Sequence, residues 1–131
     1  VAPAPRGEFG WTTVMTDEPE LVPAGPWFEY HNDRWMLPPQ VREIARTPLA
    51  SQAFTYRTSL AVQFHPEVDA AVLAEWFEQG TTELESHGFD PAVMTAQTAT
   101  LNAEARARTF ALVDTFLARA GLLGSTDSAS V

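Results

Sequence analysis

The sequence contains no cysteine and no lysine. Without cysteine there is no disulfide, no thiolate metal ligand and no cysteine nucleophile among these residues. The cross-linked scaffold typical of small secreted domains is therefore excluded. The eight basic residues are all arginines and face 17 acidic ones, for a formal net charge of −9. Nucleic-acid binding needs a basic face to displace counterions, and anionic membranes attract basic segments, so neither partner is expected. No apolar run approaches the roughly 18 residues of a membrane-spanning helix. No basic stretch leads into an apolar one near the start, so no signal peptide is expected. The first residue is Val1 rather than methionine, which suggests a processed start or a piece of a longer polypeptide.

What is present is enough for a folded domain. Of 131 residues, 45% are hydrophobic and 11% aromatic, too apolar for a chain that stays disordered and of a length that suits one domain. The first two thirds read as short strands separated by turns. Glu8–Val14 is aromatic and β-branched, Trp27–Tyr30 and Arg34–Leu37 are short apolar strands, and Val41–Ala45 and Gln52–Tyr56 alternate. Leu60–Phe64 reads as a buried strand stopped by His65-Pro66. The period then changes. Leu73, Trp76 and Phe77 form one face of a helix over Asp69–Gln79, with Asp69 as cap and Gly80 as stop. Asp90-Pro91 opens another helix, and Asn102 is expected to cap a last one whose stripe is Phe110, Val113, Phe116, Leu117 and Ala120. Residues 124–131 are expected to be a disordered tail. Strands followed by helices imply an α/β domain, a mainly parallel sheet with antiparallel excursions whose remaining parallel neighbours this chain does not obviously supply.

Two polar clusters stand at expected strand ends, His31-Asn32-Asp33 and His65-Pro66-Glu67. The second follows the carboxyl end of an inner strand, where open α/β sheets bind ligands. A carboxylate two residues beyond a histidine can fix one imidazole tautomer and stabilise its protonated form. That is the base and orienter of a nucleophilic triad without its nucleophile. Read on their own, both histidines are more simply packing or capping residues. The tryptophans read as core, and Arg106 and Arg108 as a solvated helix face. A zinc or iron site from His31, Asp33, His65 and Glu67 is disfavoured because the spacing matches no ligand signature, so no metal and no cofactor is expected.

The run Tyr30-His31-Asn32-Asp33-Arg34-Trp35-Met36-Leu37-Pro38, then Ala53-Phe54, then Gln63-Phe64-His65-Pro66-Glu67-Val68 resembles the C-terminal half of a class I (triad) glutamine amidotransferase domain. The match spans roughly residues 1–80. Within the family it is closest to stand-alone domains similar to the amidotransferase part of GMP synthase. The resemblance implies a partial flavodoxin-like sheet with antiparallel excursions and C-terminal helices over residues 1–123. It implies hydrolysis of the glutamine side-chain amide by a Cys-His-Glu triad, with His65 as base and Glu67 as its orienter. It also places His31, Asn32 and Asp33 at the mouth of the glutamine pocket and suggests a cytoplasmic location. The Gly-x-Cys-x-Gly elbow of the family has no counterpart here, and Ser51 and Ser59 do not stand in such an elbow. The chain alone is therefore expected to be inactive. The alternative is a non-catalytic relative that pairs with itself or another subunit through an incomplete sheet.

Overall fold

A computed structural model describes residues 1–121. Five strands, β1 (Ala2–Thr16), β2 (Gly25–Arg34), β3 (Arg42–Arg46), β4 (Ser51–Tyr56) and β5 (Ser59–Val62), precede three helices, α1 (Ala70–Gln79), α2 (Thr82–Ser86) and α3 (Pro91–Arg119). The strands form one sheet in the order β2-β1-β3-β4-β5, and all four pairings are antiparallel. The mixed α/β architecture agrees with the sequence reading, but the sheet of the described residues is wholly antiparallel rather than mainly parallel, and the expected inner strand Leu60–Phe64 is the edge strand β5, with none of its own four residues fully buried. The expected tail at 124–131 lies outside the described residues.

The sheet curls. Beyond β5 the Gln63 N–H donates to Gln52 O of β4 at 2.8 Å, and the His65 N–H donates to Phe28 O of β2 at 2.8 Å. The strand at one edge is thus tied to the strand at the other, forming a half-barrel. Period-two alternation along β2 then sends Trp27, Glu29 and His31 to one face and Phe28 and Tyr30 to the other. On the first face, Trp27 joins Val14, Ile44, Ala53, Phe64 and Leu112 in a core. Its ring stacks on Phe64 with centroids 4.3 Å apart. On the second, Phe28 packs with Phe9, Leu73, Leu84 and Met94 beneath α1, α2 and α3.

The helix caps follow local chemistry. Asp69 accepts from the Val72 N–H at 2.8 Å, and Asp90 accepts from the Ala92 N–H at 2.9 Å with Pro91 opening the first turn. Asn102 does not start a new helix: it lies inside the 29-residue α3, and its Oδ1 accepts from the Ala70 N–H at 3.3 Å, capping α1 across space. The face that α3 buries is Met94, Thr98, Ala105 and Leu112, whereas Phe110 and Val113 of the expected stripe are exposed. Arg108 is not solvated either. It donates to Pro26 O at 2.7 Å and lies over the Trp27 ring, docking α3 on β2. Finally, β2 runs on to Arg34, so Arg34–Leu37 is not a separate strand. Trp35 leaves the ladder and packs edge-on against Phe54 at 5.0 Å.

Candidate active site

His65 sits one residue past the ring of Phe64, which is buried in the first core. Its main chain is fixed by the bond to Phe28 O. The next peptide is held from above, because Thr109 of α3 donates to Pro66 O at 2.8 Å. Val68 is buried and Asp69 caps α1, so both ends of the 65–69 turn are anchored. The imidazole Nδ1 and Glu67 Oε2 are 2.9 Å apart. A carboxylate only accepts, so Nδ1 carries the hydrogen, and in the neutral ring Nε2 is then the nitrogen with the lone pair. The ring lies edge-on to Trp76, with centroids 5.1 Å apart. It opens into a cleft of about 370 Å³ lined by Tyr30, Trp76, Gln79 and Gly80. The His65 side chain is 32% exposed and that of Glu67 55%, so the pair is reachable from solvent. Burial of the Tyr30 phenol, with the Glu83 carboxylate nearby, pushes its pKa above the ordinary value.

The second cluster behaves differently. His31, Asn32 and Asp33 are strand residues of β2 rather than a loop. His31 stands opposite Glu8 in the β1–β2 register. Its Nε2 is 3.1 Å from both Glu8 Oε1 and Glu29 Oε1, and its Nδ1 donates to Asp33 O at 2.7 Å. Thr47 donates to Glu8 Oε2 at 2.8 Å and Gln52 to Glu8 Oε1 at 3.0 Å. Glu8, Glu29, Thr47 and Gln52 are all buried. Burial by itself would lower the His31 pKa. Hydrogen bonds to Glu29, Glu8 and Asp33 O outweigh it and raise the value to about 10, so the ring is a cation. Burial pushes the Glu29 carboxyl up, with His31 opposing. Asn32 donates to Glu83 Oε2 of α2 at 2.8 Å. It crowds Gly7, where an added Cβ would fall 2.5 Å from Asn32 Oδ1.

The structure therefore joins His65 with Glu67 as expected, but it does not gather His31, Asp33, His65 and Glu67 about one point. Among the described residues, the group able to converge on one ion is Glu8, Glu29 and His31. Sequence reading missed both glutamates. The available signal was the Glu29-x-His31 spacing, which places both on one face of a strand.

Two solved structures resemble this half-barrel with its helices. A glutamine amidotransferase from Thermotoga maritima superposes with a TM-score of 0.77 and 22% identity, over 88% of this chain and 53% of its own. The chain has part of the fold of a glutamine amidotransferase. A second glutamine amidotransferase, from Methylobacillus flagellatus, gives a TM-score of 0.65 at 22% identity, over 86% of this chain and 54% of that one. The chain thus spans about half the length of the amidotransferases it matches. No protein-family model and no curated protein sequence matches it.

Proposed function

We propose that this chain is the C-terminal half of a class I glutamine amidotransferase domain of the GMP synthase-like kind, supplying His65 and Glu67 to a Cys-His-Glu triad. The observation that carries this reading is the His65–Glu67 hydrogen bond at 2.9 Å, with the other ring nitrogen free among the described residues, on part of an amidotransferase fold. The thiol is not among these 131 residues and would come from polypeptide outside them.

In the assembled domain His65 Nε2 takes the thiol proton, and the thiolate attacks the side-chain carbonyl of glutamine. Backbone N–H groups of the cysteine elbow hold the oxyanion. The proton on Nε2 then passes to the departing nitrogen, releasing ammonia and leaving a glutamyl thioester. Water, deprotonated by the same nitrogen, cleaves the thioester to glutamate and restores the thiol. Glu67 keeps the hydrogen on Nδ1 and offsets the imidazolium charge as it forms. With the side chains of His31 and Asn32 already engaged, residues 31–33 meet the substrate through main-chain groups of Asn32 and Asp33. The reading carries with it a cytoplasmic setting and glutamine as small-molecule substrate.

The test is ammonia release from glutamine. The chain alone should give no more than its His65→Ala variant. Joined to a polypeptide bearing the Gly-x-Cys-x-Gly elbow, it should turn over, and His65→Ala should reduce that by about a thousandfold or more. Turnover by the chain alone, or joined turnover that survives His65→Ala, overturns the proposal. The alternative is a non-catalytic relative that pairs with itself or another subunit through the incomplete sheet. It requires a mass in solution that rises with concentration.

A further inference from the structure

The Glu8–Glu29–His31 cluster lies on the inner face of the β1–β2 ribbon and is not used by the proposed chemistry. Its geometry has an unmet demand. The Nδ1–H of His31 is committed to Asp33 O at 2.7 Å. That fixes the ring and turns Nε2 towards two carboxylate oxygens, each 3.1 Å away. The single Nε2–H is shared between them, and the contact to Glu29 Oε1 is the one with hydrogen-bond geometry. Two further acceptors are left over. Glu29 Oε2 and Gln52 Oε1 are buried without a partner among the described residues, on side chains that are wholly buried. An orphaned carboxylate oxygen in the interior is costly, and here it belongs to a group whose other oxygen already faces the cluster.

We propose that Glu8, Glu29 and His31 form a binding site for a divalent transition ion of the zinc class. Tetrahedral zinc with bonds of about 2.0–2.2 Å to nitrogen and carboxylate oxygen sets its ligand atoms about 3.3–3.5 Å apart. The spacing of 3.1 Å from Nε2 to each oxygen is close to that, and all three ligand atoms fall within 4.8 Å of one another. An imidazole among the ligands favours zinc-like ions over magnesium or calcium. The outer partners are those a metal site uses. Nδ1–H on a backbone carbonyl orients the ring, and Thr47 with Gln52 holds Glu8. Glu8 also lines an open cavity of about 480 Å³ with Gly7, Pro48 and Leu49, which gives an ion a way in. On binding, the metal replaces the Nε2 proton, which leaves to solvent. Net charge at the cluster rises by one, towards neutrality, with no redox step. The site would pin β1 to β2, and it stands whether or not the chain takes part in glutamine hydrolysis.

The experiment is calorimetric titration of the chelator-stripped 131-residue chain with zinc chloride, with the His31 ring nitrogens followed by proton–nitrogen NMR. Expected are one ion per chain with a Kd below about 10 μM and loss of the His31 Nε2 proton as zinc is added. The Glu29→Gln variant, which keeps the shape and removes the charge, should bind at least about tenfold more weakly with an unchanged far-ultraviolet spectrum. His65→Ala should bind as the parent does. A folded chain with no saturable binding below about 1 mM, or His31 protonated on both nitrogens at saturating zinc, overturns the proposal in favour of a plain imidazolium clasp. Binding that persists in Glu29→Gln and vanishes in His65→Ala overturns it too. If Glu29→Gln does not fold, the nitrogen resonances of the parent chain still separate the two outcomes.

Discussion

Phe64 is the residue through which the core reaches His65, and Phe64→Ala measures that link. The ring is 2% exposed and lies on Trp27, itself 1% exposed, at 4.3 Å and an interplanar angle of 25°. Deleting a buried phenylalanine ring costs about 3–5 kcal/mol, and the cost rises when the surroundings cannot collapse. Here they are held. The indole N–H of Trp27 donates to Pro23 O at 3.0 Å, and Arg108 covers its ring from α3. We therefore expect a loss in the middle of that range, about 4 kcal/mol. With a urea m-value of about 2 kcal/mol per molar, the unfolding midpoint falls by about 2 M. Phe64→Leu keeps much of the volume and should lose roughly half as much or less. Urea unfolding followed by circular dichroism and tryptophan fluorescence gives the number, provided the two curves coincide. A loss below about 1.5 kcal/mol for Phe64→Ala would refute the packing described, and with it the claim that this core holds the histidine in place.

Thr98 is fully buried and accepts the Trp11 indole N–H at 2.9 Å, so Thr98→Val should cost about 1–3 kcal/mol by urea unfolding, because the donor is left without a partner. Glu67→Ala separates stability from chemistry. Its carboxylate is more than half exposed, so unfolding should change by less than about 1 kcal/mol, while ammonia release by the assembled domain should fall by orders of magnitude. The phenol of Tyr30 titrates above its ordinary value because burial and Glu83 disfavour the anion. The stability held by the neutral phenol is full below about pH 10 and is lost as pH rises towards the folded-state value. Tyrosinate absorbance in the parent chain and in Tyr30→Phe checks this, since the late-titrating signal should disappear in the variant.

What the sequence made legible was local. His65 and Glu67 lie two positions apart across a proline, and their meeting needs no knowledge of distant strands. The caps at Asp69 and Asp90 were readable for the same reason: a carboxylate and the amides it serves lie within three residues. Failures came where the partner lay far along the chain. Asn102 has the right chemistry for a cap, but the helix it serves begins 32 residues earlier. Arg108 looks like any surface arginine until β2 is laid beneath it. The His31 cluster needed the β1–β2 register, which depends on an irregularity between Pro3 and Glu8. A slip of one residue there would send Glu8 to the opposite face. The α3 stripe was misjudged because half-buried and exposed apolar residues look alike until the opposing surface is known, and Phe110 ended up beside Arg106 instead of the core.

The bond from the His65 amide to the Phe28 carbonyl has one further consequence. Both of its atoms belong to the main chain, so replacing either residue by any other except proline leaves donor and acceptor in place. The location of His65 is in this sense written into the peptide framework, where ordinary side-chain drift cannot erase it. Descendants of such a domain could change much of the surface around the histidine and still carry an imidazole to the same address.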